Sequence, residues 1–377
     1  MSERRVLVIG AGMAGLSCAA NAAEHARVTV VEAESQPGYH SSGRSAASYI
    51  EPYINETIQA LTAASKPFFL APPAGFTPVP LVAPRADLMI AGAAKADLVD
   101  RYIARWRTLC PDLAEVPRAE AFRRVPVLKQ EAVARAVSDP HVMDIDVDAL
   151  LSGFRRLLLA RGGKLIANKR IEGLERRNGV WIARAGSETF EADVVVDAAG
   201  SWGEKVAALA GARPVGLVPK RRTAVLLGSG GHDVKDWPIV HEVESEFYFK
   251  PDAGRLLLSP ADETPSEPCD AQPEDIDVAI AIDRFENATT MKVARIEHRW
   301  AGLRSFVADK MPVVGFDPSV DGFFWLVGQG GFGIQTSPTM GRLSAALIAG
   351  GPMPDDIRAR GLVEKTLAPD RPALRSL

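Results

Sequence analysis

Cysteine is scarce in this sequence of 377 residues: Cys18, Cys110 and Cys269 lie far apart and form no CxxC pair. That excludes a zinc ribbon and a disulfide framework. The six histidines, His25, His40, His141, His232, His241 and His298, include no pair at metal-ligand spacing on one helix, so no metal is expected. No apolar run reaches about 18 residues, so neither a transmembrane helix nor a membrane anchor is expected, while peripheral membrane contact stays open. Basic excess is missing too. Lys and Arg number 44 against 47 Asp and Glu, a formal net charge of −3. Binding to phosphate backbones draws on surplus positive charge, so nucleic acid is not an expected partner.

What is present is a globular composition, 47% hydrophobic and 24% charged, enough apolar material for about two domains at roughly 150 residues each. At the start, Arg4 and Arg5 precede VLVIGAGMAGLSCAA, a composition shared by signal peptides and by a strand entering a Gly-rich turn. The residues that follow continue the second pattern. Residues 6–9 read as a buried parallel strand, 13–23 as an Ala- and Leu-rich helix, and 27–31 as a second strand. Between strand and helix, Gly10 permits a tight turn, Gly12 lets backbone N–H groups approach a pyrophosphate, and Gly15 lets helix and strand pack closely, with Ala14 in the same turn. The helix N-terminus adds positive dipole toward an anion. Glu32, at the end of the second strand, can accept hydrogen bonds from a ribose and would repel the extra phosphate of NADP. This unit binds a dinucleotide without separating NAD from FAD.

The next segment distinguishes them. A nicotinamide fold would run on to another helix and strand. Here the chain enters a polar loop containing Ser41, Ser42, Gly43, Arg44, Ser45, Ala46 and Ala47, which can offer hydroxyls and N–H groups to a pyrophosphate and a flat ring. Two later strands end in comparable turns. Residues 193–199 lead to Gly200 and Trp202, then a helical stretch through Leu209. Residues 323–327 lead to Gly330, Gly331, Phe332, Gly333, Ile334 and Gln335, then a helix to about Ala349. Three returns to one cofactor are expected of a discontinuous FAD domain. Elsewhere, 146–160 reads as an amphipathic helix closed by Gly162-Gly163. Residues 164–196 read as short strands with a turn at Arg177-Asn178-Gly179. Strands are expected over 217–258 and 295–307, and helices over 94–106 and 274–286.

The stretches HSSGRSAASY, LTAASKPFF, PKRRTA, FYFKPDAG, WAGLRSF and QGGFGIQTS, in this order along nearly the whole chain, resemble the D-amino-acid oxidase superfamily of flavoproteins, and within it the bacterial D-arginine dehydrogenases. The resemblance implies an α/β fold, α+β overall. A Rossmann-type FAD-binding domain (residues 1–80, 139–214 and 310–377) carries an inserted substrate domain on a mainly antiparallel sheet (81–138 and 215–309). It adds Ala33, Ile171 and Ala199 to the residues around FAD. Some relatives bond flavin through a Cys near the C-terminal Gly-rich turn; no Cys follows Cys269 here, so FAD is expected to be noncovalent.

Oxidising an amino acid requires a clamp for its carboxylate, and the planar fork of Arg suits that task. Arg222 and Arg304 are the candidates, while strand alternation should turn Arg221 away. The resemblance places Tyr248 on the same carboxylate, Tyr53 as a closing residue, and Asp87 where the dehydrogenase pairs a Glu with the substrate guanidinium. Ser48 and Ile50 stand where that enzyme has His and Thr. The implied reaction is hydride transfer from Cα of a D-amino acid with a basic or bulky side chain to flavin N5. The imino acid then hydrolyses to a 2-oxo acid and ammonia, as in amino-acid catabolism. A separate, unidentified electron acceptor and a cytoplasmic location are expected. Open alternatives are a secondary-amine or glycine/sarcosine-type flavin oxidase, a nicotinamide-dependent dehydrogenase and a noncatalytic flavoprotein.

Overall fold

Strands buried on both faces organise the first layer. The computed structural model describes residues 4–374, so the outermost residues of the first and last sequence ranges given above, 1–3 and 375–377, lie outside it. Its six-stranded sheet has the order Val313–Phe316, Phe323–Val327, Val194–Asp197, Arg5–Ile9, Arg27–Val31, Lys164–Ile166. Only the first of these runs antiparallel to its neighbour. Val6 and Val8 enter one apolar core, with Leu16, Phe154 and Met340 from the helices Met13–Ala22, Val147–Ala160 and Gly333–Ile348. Leu7 and Ile9 enter another, with Trp181 and Val206, under a small antiparallel sheet (Gly173–Arg177, Val180–Ala185, Glu188–Ala192) and the helix Gly203–Leu209. This explains the unbroken apolar runs read from sequence. Asp146 caps its helix by accepting from Ala149 N–H at 2.8 Å. Asn178 and Gly179, both at positive φ, make the expected hairpin turn.

The second large sheet has nine strands and is antiparallel except where Ile239–Glu242 runs beside Asp87–Ala91. Val218–Leu227 is flanked on one side by Ile296–Phe306 and on the other by Arg255–Ser259, with Tyr248–Asp252 and Ile239–Glu242 beyond. One face buries Leu88, Val240, Phe249 and Leu258 against Phe285 of the helix Asp275–Ala288. Alternation sends Arg222, Tyr248 and His241 to the opposite face. A fourth sheet, also three-stranded (Ser48–Tyr49, Met143–Ile145, Val82–Pro84), joins segments from both sides.

The expected helix over 94–106 is divided. A single 3₁₀ turn, Ala93–Lys95, precedes Leu98–Trp106. Among the described residues, no helix is long and apolar enough to cross a membrane.

Candidate active site

A cavity of about 460 Å³ runs from the carboxyl ends of the parallel strands to the polar face of the nine-stranded sheet. At its first end, Gly10 adopts φ +103°, and a β-carbon there would meet Ala198 O at 2.5 Å. Gly15 is tighter: its β-carbon would overlap Gly10 O at 1.9 Å. Gly12 differs, because a β-carbon on it would meet only Ser42 Oγ, at 3.5 Å. The face it opens belongs to the cavity. Met13 N–H donates to Ser42 Oγ at 3.0 Å, which orients the loop over the helix N-terminus. Glu32 lines the cavity, with one carboxylate oxygen accepting from Ala11 N–H (2.6 Å) and the other from Glu34 N–H (2.9 Å).

Ala14, Ala33, Ser41, Ser45, Ala46, Ile171, Ala199, Gly200 and Trp202 also face this space. The polar loop is tied across to the other sheet. Ser41 donates to Leu303 O at 2.6 Å, and Arg44, also on the wall, donates to Ala271 O and Ala301 O at 3.0 Å each. Gly330, Gly331, Gly333 and Ile334 close the far wall. A β-carbon on Gly330 would enter the Phe306 ring.

Next to Gly331 stands the clamp. Arg304 is partly buried beside Tyr248 and has no carboxylate within ion-pair distance among the described residues. Burial opposes its charge, yet the oxygens of Tyr53 and Tyr248 hold its proton more firmly than usual. Arg222 Nε donates to Asp262 O at 2.8 Å. Burial and the neighbouring Arg304 weaken its hold on a proton, although a guanidinium stays charged at any physiological pH. Burial would raise the Tyr248 phenol, but Arg304 and Arg222 outweigh it and bring it below its usual range. Arg221 points to the other face, where it pairs with Asp277 at 3.0 Å and with Glu274.

Several sequence candidates stand behind this wall instead of on it. Asp87 is 2% exposed and does not line the cavity: Oδ1 accepts from Asp139 N–H at 2.6 Å, and Oδ2 lies 3.2 Å from His241 Nε2. Both Asp87 carboxylate oxygens are therefore already engaged within the protein. Ser48 Oγ accepts from Lys250 Nζ at 3.3 Å. The Ile50 backbone is gripped by the Gln335 amide, at 2.9 and 3.0 Å, which also reaches Thr62 Oγ1. The Gln335 side chain thus faces the protein interior, and the buried Phe332 ring packs in the core beside Phe306. Ala47 packs against the same core, and Gly43 supports the loop through Gly38 O at 2.7 Å. Tyr53 stands behind Gly331, its hydroxyl beside Arg304.

Other groups on the wall escaped the sequence reading. His40 packs on Trp202 with ring centroids 4.6 Å apart, pairs through Nε2 with Glu34, and leaves Nδ1 buried without a partner. It belongs to the loop already singled out, so its position carried the signal. Ser201 and Ser305 share a 2.9 Å hydrogen bond, and Leu303 and Ser305 flank Arg304. Lys169 and Arg170 carry no comparable signature.

These walls fit FAD. Gly12 offers backbone without a side chain beside the N-terminus of the Met13–Ala22 helix, and His40 Nδ1 is an unsatisfied polar atom on the same surface. No cysteine lines the cavity. The model of the DAO family, FAD dependent oxidoreductase, matches residues 5–347, and the chain belongs to that family, with FAD as its cofactor. Among its relatives, the FAD-dependent oxidoreductase domain-containing protein 1 of Xenopus laevis is 26% identical over 185 residues, 44% of this chain and 36% of that protein. The chain thus matches little more than a third of that relative's length. Glycine oxidase of Geobacillus kaustophilus is 23% identical over 258 residues, 67% of this chain and 66% of that protein. Its crystal structure superposes with a TM-score of 0.81 at 21% identity, covering 92% of this chain and 95% of that one. The structure of iminodiacetate oxidase from Chelativorans sp. BNC1 gives 0.80 at 21%, covering 93% and 96%.

Proposed function

We propose that this protein is an FAD-dependent oxidoreductase that oxidises the Cα–N bond of D-amino acids to an imino acid, which water hydrolyses to a 2-oxo acid and ammonia. The observation that carries this reading is Arg304, a partly buried guanidinium on the cavity wall with no carboxylate of the chain beside it among the described residues. A buried charge is costly unless paired, so such a group calls for an anion from outside. Arg222 and Tyr248, on the same wall, give that anion a second fork and a hydroxyl. A free amino-acid carboxylate fits all three.

FAD supplies the two-electron chemistry. The chain's residues bind and orient: the arginines fix the carboxylate, Tyr248 bonds to one of them, and Tyr53 closes the site beside Gly331. No side chain on the wall is needed as a base if the amine arrives deprotonated. The D-configuration rests on the resemblance of Arg222, Tyr248, Arg304 and Tyr53 to the D-arginine dehydrogenase pattern. A separate electron acceptor and a cytoplasmic setting belong to the same proposal.

A second reading, oxidation of glycine or a secondary amine, draws support from the relatives named glycine oxidase and iminodiacetate oxidase and from the withdrawal of Asp87 behind the wall. Anaerobic bleaching of the bound flavin separates the two. D-amino acids should bleach it faster than L-amino acids, glycine or N-methyl amino acids. Bleaching by glycine and N-methyl compounds alone would replace the first reading with the second. A flavin that no amine reduces would make the protein a noncatalytic flavoprotein.

A further inference from the structure

His241 occupies a position no motif signalled. On the Ile239–Glu242 strand it lies directly across from Tyr248, while Ile239 on the same strand lies beside Asp87. Side chains alternate along strands, so Tyr248, His241 and Asp87 share the face that carries Arg222. Neighbouring strands are about 4.8 Å apart, which places His241 one strand beyond the clamp tyrosine, next to the cavity lining that Tyr248 belongs to. Its side chain is 19% exposed and that of Asp87 is 3% exposed. The imidazole therefore covers the carboxylate.

The hydrogen bond between them fixes the chemistry presented outward. A carboxylate only accepts, so His241 Nε2 carries the proton directed at Asp87 Oδ2. In the neutral ring Nδ1 is then a single acceptor, and it makes no hydrogen bond among the described residues. Asp87 Oδ1 already receives Asp139 N–H. Lys250, two residues past Tyr248 and on the same face, adds a buried ammonium held by Asp144 at 2.5 Å. A substrate cation passing Tyr248 would find no free carboxylate on this face, since Asp87 is taken up by Asp139 N–H and His241, and Asp144 by Lys250 and Arg85, and its loss of water goes unrepaid. An uncharged donor loses far less on entry and matches Nδ1.

Resting on the amino-acid reading above, we propose that His241, oriented by Asp87, reads the substrate side chain and selects an uncharged hydrogen-bonding end group, an amide or hydroxyl, over a guanidinium or ammonium. Asp87 is then a positioning residue that sets the tautomer of His241.

The test uses the FAD-loaded protein and anaerobic flavin reduction, comparing D-glutamine and D-asparagine with D-arginine and D-lysine. D-Alanine, too short to reach His241, is the reference. The wild type should bind D-glutamine at least about tenfold more tightly than D-arginine. In His241→Leu, the D-glutamine to D-alanine ratio of reduction efficiency should fall about five- to tenfold, the size of one hydrogen bond. His241→Asn, which keeps an acceptor near the Nδ1 position, should restore part of that ratio. Asp87→Asn should lower it less. FAD content and melting temperature establish that each variant is folded. A wild type that prefers D-arginine, or a ratio unmoved in both His241→Leu and Asp87→Asn, overturns the proposal. If D-alanine reduces the flavin while the ratio stays fixed, only the role of His241 falls. If no amino acid reduces the wild type, the reaction proposed above falls and this role with it.

Discussion

Tyr53 and Arg304 meet over Gly331: a β-carbon on that glycine would lie 2.9 Å from the Tyr53 hydroxyl and 2.8 Å from Arg304 Nη1. The turn after the Phe323–Val327 strand and the two side chains therefore share one close contact. Gly331→Ala should push both groups outward. The expected result is a rise in KM for the amino-acid substrate of about tenfold or more, since misplacing a clamp costs binding energy steeply. Steady-state kinetics on the flavin-loaded variant provides the check, and an unchanged KM would detach Tyr53 and Arg304 from the substrate.

Arg304 itself offers a sharper measurement. Charge-assisted hydrogen bonds contribute about 1.5–3 kcal/mol, so Arg304→Ala should weaken substrate binding by roughly 10- to 150-fold. Arg304→Lys keeps the charge without the fork and should recover only part. Flavin content should remain near that of the wild type in both, measured from the absorbance ratio of the purified proteins.

Gly12 and Gly15 predict opposite failures although they sit three residues apart. At Gly15 an added methyl would run into backbone at 1.9 Å, which cannot move aside cheaply. Gly15→Ala should cost on the order of 1–3 kcal/mol of stability and lower the melting temperature. At Gly12 the methyl would meet only Ser42 Oγ at 3.5 Å and project into the cavity. Gly12→Ala should melt like the wild type without flavin, yet bind FAD far more weakly. Thermal denaturation and FAD titration of both variants, each stripped of flavin, separate the two outcomes.

Asp197 gives a pH prediction. It is fully buried at the end of the Val194–Asp197 strand; burial pushes its pKa up to about 8, against the help of Ala199 N–H. Its second oxygen has no partner. Between about pH 4 and 8 the folded chain keeps this proton and the unfolded chain releases it, so stability is full in acid and declines as pH rises. The slope for one proton is at most about 1.4 kcal/mol per pH unit. Asp197→Asn removes the titration. Its melting temperature relative to the wild type should therefore climb from pH 5 to pH 8, and parallel pH profiles would contradict the assignment.

The cofactor side of the site was the more legible in sequence, for a local reason. Gly10, Gly12 and Gly15 mark a strand-to-helix turn by their spacing within one short segment, although Gly10 is held by the remote Ala198, and alternation alone separates Arg222 from Arg221. The surroundings of Asp87 were not legible because its neighbour is remote. The group that covers it, His241, arrives on a parallel strand more than 150 residues later, and no spacing rule connects them. The inward turn of the Gln335 and Phe332 side chains was hidden for a different reason. A Gly-rich turn opening a helix exposes some of its residues to the cavity and rotates the next ones inward, and the sequence marks only the turn. The broken helix before Leu98–Trp106 follows from Asp97 and the short 3₁₀ turn at Ala93–Lys95, a boundary that apolar periodicity does not mark.

The Met13–Ala22 helix packs against the Gly333–Ile348 helix, and the Phe323–Val327 strand completes the sheet beside Val194–Asp197. During synthesis the first phosphate-facing turn therefore leaves the ribosome some 300 residues before its companion wall is made. A nascent chain halted ahead of residue 323 holds the opening turn with its helix packed on Val147–Ala160 alone and the cavity without its far wall. Vitamin capture is thus a late act of maturation, and a polypeptide cut short near its end should emerge colourless.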